Sequence, residues 1–414
     1  MTPGLIDAAA AALAELLRFD RPADAVLSHF FRARPKLGAR ERAFIAEAGY
    51  GALRRLRSLE RLAGGRDARR LLLAWLARDG GHNLRQFESV ATAGELTWLS
   101  AVKAADREAL EPAVRLELPD WLYARLAAVY GERLPALAAA LNRPAPLDLR
   151  VNLLRARREE VLARLAADGI EAAPTPYSPW GVRLKGKPTI NRHPLFLDGV
   201  VEVQDEGSQL LALLTGARRG EMVCDFCAGA GGKTLALAAM MRNSGRVYAF
   251  DVAPLRLKQL KPRLKRSGLS NVHPVLISAE NDVHVKRLAG KFDRVLVDAP
   301  CSGLGTLRRN PDLKWRHSPA TVAELTAKQA AILAAAARLV KPGGRLIYAT
   351  CSLLPEENEV IVADFLARHT EFSLQPVGPL LAEQRVDLAM DEALRLDPAQ
   401  HGTDGFYAAV LTRT

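Results

Sequence analysis

The sequence predicts an α/β protein: an open, mostly parallel, doubly wound sheet preceded by an all-α region and a small α/β element. Three observations predict it. From about residue 200 onward, short apolar runs alternate with helical stretches, the order expected when each parallel strand needs a crossover helix. A glycine-rich run, Cys227-Ala228-Gly229-Ala230-Gly231-Gly232-Lys233-Thr234, follows the first of these strands. Before them, residues 1–142 carry apolar side chains at helical spacing.

In the helical region, Leu5, Ala9, Leu13 and Leu16 recur on one face, as do Phe44, Ala48, Leu53, Leu56 and Leu59 with arginines between them. Trp121, Leu122, Leu126 and Val129 mark a later helix, opened by the Pro119-Asp120 start signal. The Asn142-Arg143-Pro144-Ala145-Pro146 stretch reads as a linker. Residues 143–200 follow as the small element. There Leu149, Val151 and Leu153 alternate with Asp148, Arg150 and Asn152, the pattern of a half-buried strand. A helix around Val161, Leu162 and Leu165 leads to a Pro-rich segment and Val182-Arg183-Leu184. This element is too small to stand alone and should dock on its neighbour. Residues 201–414 form the third region, with strands expected at 221–226, 246–251, 272–277, 294–298, 344–350 and 406–412 and intervening helical stretches such as 235–241 and 323–340.

The chain has 414 residues and a formal net charge of +12, a sign that favours a polyanionic partner. The excess is concentrated. Residues 31–70 hold twelve Arg and Lys against Glu41, Glu47, Glu60 and Asp67; a solvated basic face of a helical bundle and an RNA-contacting face are both consistent with that. Four cysteines make a disulfide framework a poor fit and suit a reducing compartment. The apolar stretch from Leu5 to Leu17 is interrupted by Asp7 and Glu15, so it does not read as a signal peptide. No apolar run approaches the roughly 18 residues of a membrane span. A cytoplasmic protein without a membrane partner is expected, with a monomer as the default.

The glycine-rich run admits three ligands in principle, since glycines let backbone approach a ligand and aim N–H groups from a helix N-terminus. A Walker A loop needs a glycine where Cys227 stands. A dinucleotide fingerprint needs a third glycine where Leu235 stands. S-adenosylmethionine remains. Asp251, ending the next strand, is placed to accept bonds from ribose hydroxyls, or else caps the following helix. Cys224-x-x-Cys227 invites a metal reading, but strand alternation sends the two thiols to opposite faces and no second pair completes a zinc set. No metal is expected, and Cys224 reads as core.

Two further cysteines stand just past predicted strands, in Asp298-Ala299-Pro300-Cys301-Ser302-Gly303 and in Ala349-Thr350-Cys351-Ser352. In an open α/β sheet the carboxyl ends of strands face one crevice. Two thiols and a cofactor cradle delivered there point to a thiol-dependent transferase.

These segments resemble the RNA cytosine-5 methyltransferases of the Sun/Fmu type (RsmB-like, with NOP2-like relatives). The likeness is carried by Val203-Gln204-Asp205-Glu206-Gly207-Ser208-Gln209, the cradle 227–234, Asp298–Gly303, Arg308–Trp315, and Thr350–Ser352 followed by Pro355-Glu356-Glu357-Asn358. Leu37–Phe44 is similar to the NusB-like RNA-binding domain of the bacterial small-subunit rRNA members. The resemblance implies a class I, Rossmann-like methyltransferase domain using S-adenosylmethionine, with Cys351 as nucleophile and Cys301 assisting product release. Asp298 would hold the amidine edge of the base. Cys227, Ala228, Gly229, Ala230, Gly231, Gly232, Lys233, Asp251 and Asp298 would form the cofactor site, with Lys233 bracing it. Two departures stand out. Gly229-Ala230 replaces the usual Ala-Pro, and Ala279 falls near the end of the third strand where the family usually has an aspartate, which leaves Glu280 as the acidic candidate. The implied substrate is RNA, with 16S rRNA preferred. The same chemistry on tRNA or another rRNA, and a non-catalytic RNA-binding assembly role, stay open. Arg308, Arg309, Lys314 and Arg316 are candidate grips for the RNA backbone, or else a solvated loop.

Overall fold

The structure, a computed structural model, describes residues 1–414. It divides into two compact units, one of residues 1–144 with 306–319, the other of residues 145–305 with 320–414. The chain therefore leaves the α/β unit after Gly305 and rejoins it at Ala320.

The first unit is helical throughout. Its first helix, Pro3–Leu16, starts where Thr2 accepts from the Leu5 N–H and proline occupies the first turn. Helix Ala68–Arg78, capped by Asp67, is buried at every position from Leu71 to Ala77, which makes it the centre of the bundle. Ile6, Leu13, Phe30, Leu53 and Leu59 pack in the same core. Helix Ala39–Arg54 passes close to Trp75 because Gly51 has no side chain; a Cβ there would sit 2.2 Å from the indole. Gly51→Ala should therefore cost about 1–3 kcal/mol as overpacking, read as a lowered Tm with the helical content at 222 nm retained.

Segment 306–319 belongs to this helical core. The Trp315 indole N–H donates to the Leu53 carbonyl at 2.9 Å, and the Ala23 N–H to Asp312 at 3.3 Å. Lys314 is 1% exposed and donates to the Arg54 carbonyl at 3.1 Å and to Asn142 at 2.9 Å. Burial brings its amine down to about 7, against the pull of Glu117. Arg308 is also buried. The expectation of a basic grip on RNA is thus corrected at Lys314, whose amine anchors the segment instead. The basic run 31–70 is partly consumed in the same way, since Arg57 pairs with Asp120, Arg69 with Glu95, and Arg54 donates to the Arg308 carbonyl.

The second unit holds two sheets. The smaller contains β1 (Leu147–Val151), β2 (Ala172–Pro174), β3 (Gly181–Leu184) and β4 (Val201–Val203), all antiparallel in the order β2-β3-β1-β4. Alternation along β1 gave a half-solvated strand, but both its faces are covered. Asp148 is 1% and Arg150 3% exposed, because Asp148 takes a two-pronged bond from Arg183 and Arg150 reaches the carbonyl of Gly232.

The larger sheet is built from β5 (Met222–Asp225), β6 (Arg246–Asp251), β7 (Val272–Leu276), β8 (Phe292–Asp298), β9 (Val340–Thr350), β10 (Phe372–Gln375), β11 (Ala393–Leu396) and β12 (Phe406–Arg413). Its order is β10-β12-β9-β8-β5-β6-β7, with β11 paired to β12. Strands β5 to β9 are parallel, and β12 runs antiparallel to β9. The chain moves from β5 outward through β6 to β7, then returns to place β8 on the other flank of β5. That reversal is the topological switch point at which an open α/β sheet leaves a crevice. Apolar layers cover both faces, with Val223, Leu296 and Ile347 on one and Cys224, Val295 and Tyr348 on the other. No helix is long and apolar enough to cross a membrane.

Candidate active site

The crevice is an open cleft of about 710 Å³ above β5, β6, β8 and β9. Cys227, Ala228, Gly229, Ala230, Asp251, Glu280, Asp298, Cys301 and Cys351 all line it. So do residues that sequence reasoning did not single out: Ile277, Lys328, Ile332 and Arg256. These four carry no local motif, and only the fold brings them together.

The cradle is shaped by backbone. Strand β5 ends in Asp225, whose carboxylate accepts from Thr234 at 2.7 Å and so ties the strand to the helix Gly232–Met240. Burial raises this carboxyl to about 7. Between strand and helix, Gly229 and Gly231 adopt φ of 56° and 84°, the left-handed region that favours glycine. A Cβ on Gly231 would also lie 2.1 Å from Leu260. The Gly229-Ala230 pair dispenses with a proline, and its rigidity comes from elsewhere. The Gly229 N–H donates to Asp251 at 2.7 Å, and Arg263, itself paired with Glu202, donates to the Ala230 carbonyl at 2.7 Å. Arg150 holds the next turn through the Gly232 carbonyl at 2.6 Å. These arginines are bracing residues that no spacing in the sequence announced.

Asp251 accepts from the Ala253 N–H with its other oxygen at 2.7 Å, so it fixes the turn that leads into the following helix and lines the cleft at once. Glu280 also borders the cleft, beyond β7. Gly231, Gly232 and Lys233 lie behind the lining rather than in it. Lys233 points to Asp298 and bonds it at 2.6 Å. Burial works against its charge, but Asp298, Asp225 and Cys351 outweigh burial and hold the ammonium above its ordinary range.

Cys301 follows β8 and Cys351 follows β9, and their sulfurs stand 3.4 Å apart. The Cys351 N–H also donates to the Cys301 sulfur at 3.4 Å. The pair is not disulfide-bonded. The bond to Cys351, burial, and the nearby Cys351 and Glu357 charges all push the Cys301 thiol well above its usual range. These surroundings favour the protonated form of Cys301. Cys224 is fully buried, among apolar neighbours of the opposite layer.

Comparison with known proteins fits this arrangement. The model of the family "16S rRNA methyltransferase RsmB/F" matches residues 212–412, and the ferredoxin-like domain of RsmF/B-like methyltransferases matches residues 118–191. The probable ribosomal RNA small subunit methyltransferase B of Synechocystis is 32% identical, over 97% of each chain. This chain belongs to the RsmB/F methyltransferase family. A Bacillus subtilis protein named probable ribosomal RNA small subunit methyltransferase B is 36% identical over 71% of this chain and 66% of its own length. The crystal structure of a methyltransferase homolog protein from Pyrococcus horikoshii superposes with a TM-score of 0.63 at 31% identity, covering 74% of this chain and all of that one. The RsmB/F fold has a class I methyltransferase sheet, and the doubly wound architecture expected from alternation is the one observed.

Proposed function

We propose that this RsmB/F protein methylates carbon 5 of a cytosine in small-subunit rRNA through a transient adduct on Cys351. The observation that carries the reading is the pair of sulfurs 3.4 Å apart in the wall of a cleft that also holds Asp298 and the glycine cradle.

The cleft fits S-adenosylmethionine. It offers a carboxylate at Asp251 for ribose hydroxyls, Glu280 farther along, apolar walls at Ile277 and Ile332, and backbone of Ala228, Gly229 and Ala230 for close approach. Bound there, S-adenosylmethionine supplies an electrophilic sulfonium methyl group. The protein's task is to make the ring a nucleophile. Carbon 5 of cytosine is unreactive alone, and addition of the Cys351 thiolate to carbon 6 makes it enamine-like. Asp298 holds the amidine edge and stabilises the protonated ring nitrogen as the adduct forms. Lys233 keeps Asp298 oriented through its 2.6 Å bond. After transfer the carbon-5 proton passes to solvent water and the carbon 6–sulfur bond breaks, expelling Cys351 as thiolate, with Cys301 assisting release. The target base must be unpaired or flipped out to present both carbons.

Bisulfite sequencing of total RNA from a deletion strain tests the substrate. One small-subunit cytosine should lose its mark. An unchanged small-subunit pattern with a lost tRNA mark would overturn the rRNA assignment. Calorimetry with S-adenosylmethionine tests the enzyme reading itself, and no binding at millimolar cofactor would favour a non-catalytic assembly role.

A further inference from the structure

Glu357 is fully buried, and no cation neutralises it through an ion pair. A buried carboxylate is costly unless donors surround it, and here four do. The Ser302 N–H donates at 2.8 Å and the Ser302 hydroxyl at 2.5 Å; Gln329 donates at 3.0 Å, and the Ser352 hydroxyl completes the set. Ser302 and Ser352 are the residues immediately after Cys301 and Cys351. Gln329, on the helix Pro319–Ala337, donates also to the Pro300 carbonyl at 3.0 Å. The neighbouring Asn358 binds the second loop from its other side, accepting from Thr350 at 2.5 Å and donating to the Ser352 carbonyl at 3.1 Å. Tyr348 fixes the Glu357 backbone by donating to its carbonyl at 2.6 Å. One side chain therefore ties together two loops that are 50 residues apart in the chain and each carry one thiol.

We propose that Glu357 is a positioning residue for the thiol pair: by gripping Ser302 and Ser352 together it sets the separation of the Cys301 and Cys351 sulfurs. Glu357 lies outside the cleft lining and touches no reacting atom. The inference rests on the functional reading above only for its catalytic consequence; the geometric part stands without it.

The test uses dibromobimane, which fluoresces when it bridges two nearby thiols, with peptide mapping to identify the Cys301–Cys351 bridge. Glu357→Asp keeps the charge and withdraws the carboxylate by one methylene. It should slow bridging roughly tenfold and lower kcat by about 10²-fold with the KM for RNA unchanged, the loss expected of a 1 Å misplacement. Glu357→Gln keeps the length, and the serine hydroxyls can turn to accept from its amide. It should restore bridging to within about threefold of the wild type. Ser352→Ala, a milder change that removes one donor, should slow bridging by roughly threefold if the Asp variant does not fold. Bridging at the wild-type rate in both the Asp and Ala variants would overturn the proposal, as would a Gln variant as slow as the Asp one. A wild-type protein that methylates no cytosine yet shows the bridging pattern would sink the functional reading and leave the positioning role standing.

Discussion

Cys351→Ala should transfer no methyl group and form no covalent RNA complex, whereas Cys301→Ala should accumulate one. The asymmetry follows from the roles proposed for the two sulfurs, which lie 3.4 Å apart. The Cys301 thiol is pushed up by its bond to Cys351, by burial and by the nearby charges of Cys351 and Glu357, which disfavours Cys301 as the attacking thiolate. Losing the attacking sulfur should cost on the order of 10⁴-fold or more in rate, as when a covalent nucleophile is deleted elsewhere. Losing Cys301 should spare the first addition and stall release. Denaturing gels with labelled RNA give the readout: a retarded band for Cys301→Ala and none for Cys351→Ala. The reverse pattern would exchange their roles.

The second large effect concerns Asp298. Asp298→Asn keeps the shape of the side chain but exchanges a carboxylate for an amide at the place where, in the proposed mechanism, the ring nitrogen gains positive character. A loss of about 10²–10⁴-fold in the single-turnover rate is expected, the usual range for a positioned proton-handling group, with RNA affinity little changed. Lys233→Met should slow the reaction by a smaller factor, because it removes the partner that orients Asp298 at 2.6 Å and leaves the carboxylate in place. An Asn variant as fast as the wild type would remove Asp298 from the chemistry. A Met variant slower than the Asn variant would mean that Lys233 does more than brace.

The crevice was legible because its chemistry sits at the ends of regular strands. The cradle after β5, Asp298 at the end of β8 with Cys301 just beyond, and Cys351 after β9 each close an apolar run whose end could be read directly, and parallel order then sends all three to one edge. Glu280, the acidic candidate left by the family resemblance, lies in the cleft lining. What stayed hidden depends on tertiary partners. Asp148 and Arg150 look solvent-facing from alternation, and only partners distant in the chain, Arg183 for the one and the Gly232 turn for the other, cover them. Lys314 reads as a surface cation until the helical core closes over it. Strands β10 and β11 were not read from the sequence and exist by pairing with β12. Glu357 was quoted only as part of a motif, since its bonds to Ser302 and Gln329 cross 55 and 28 positions of chain.

The excursion of residues 306–319 into the helical unit has a consequence for dissection and for descent. The bundle cannot be amputated as a leading module without stranding the Trp315 indole and the Lys314 amine, whose hydrogen-bond acceptors reside on Leu53, Arg54 and Asn142. A catalytic half expressed by itself would carry a sticky, unsatisfied peninsula starting five residues beyond Cys301. Gene fusions that swap this bundle for another must therefore trade the peninsula along with it, two pieces from distant stretches of the gene inherited as one.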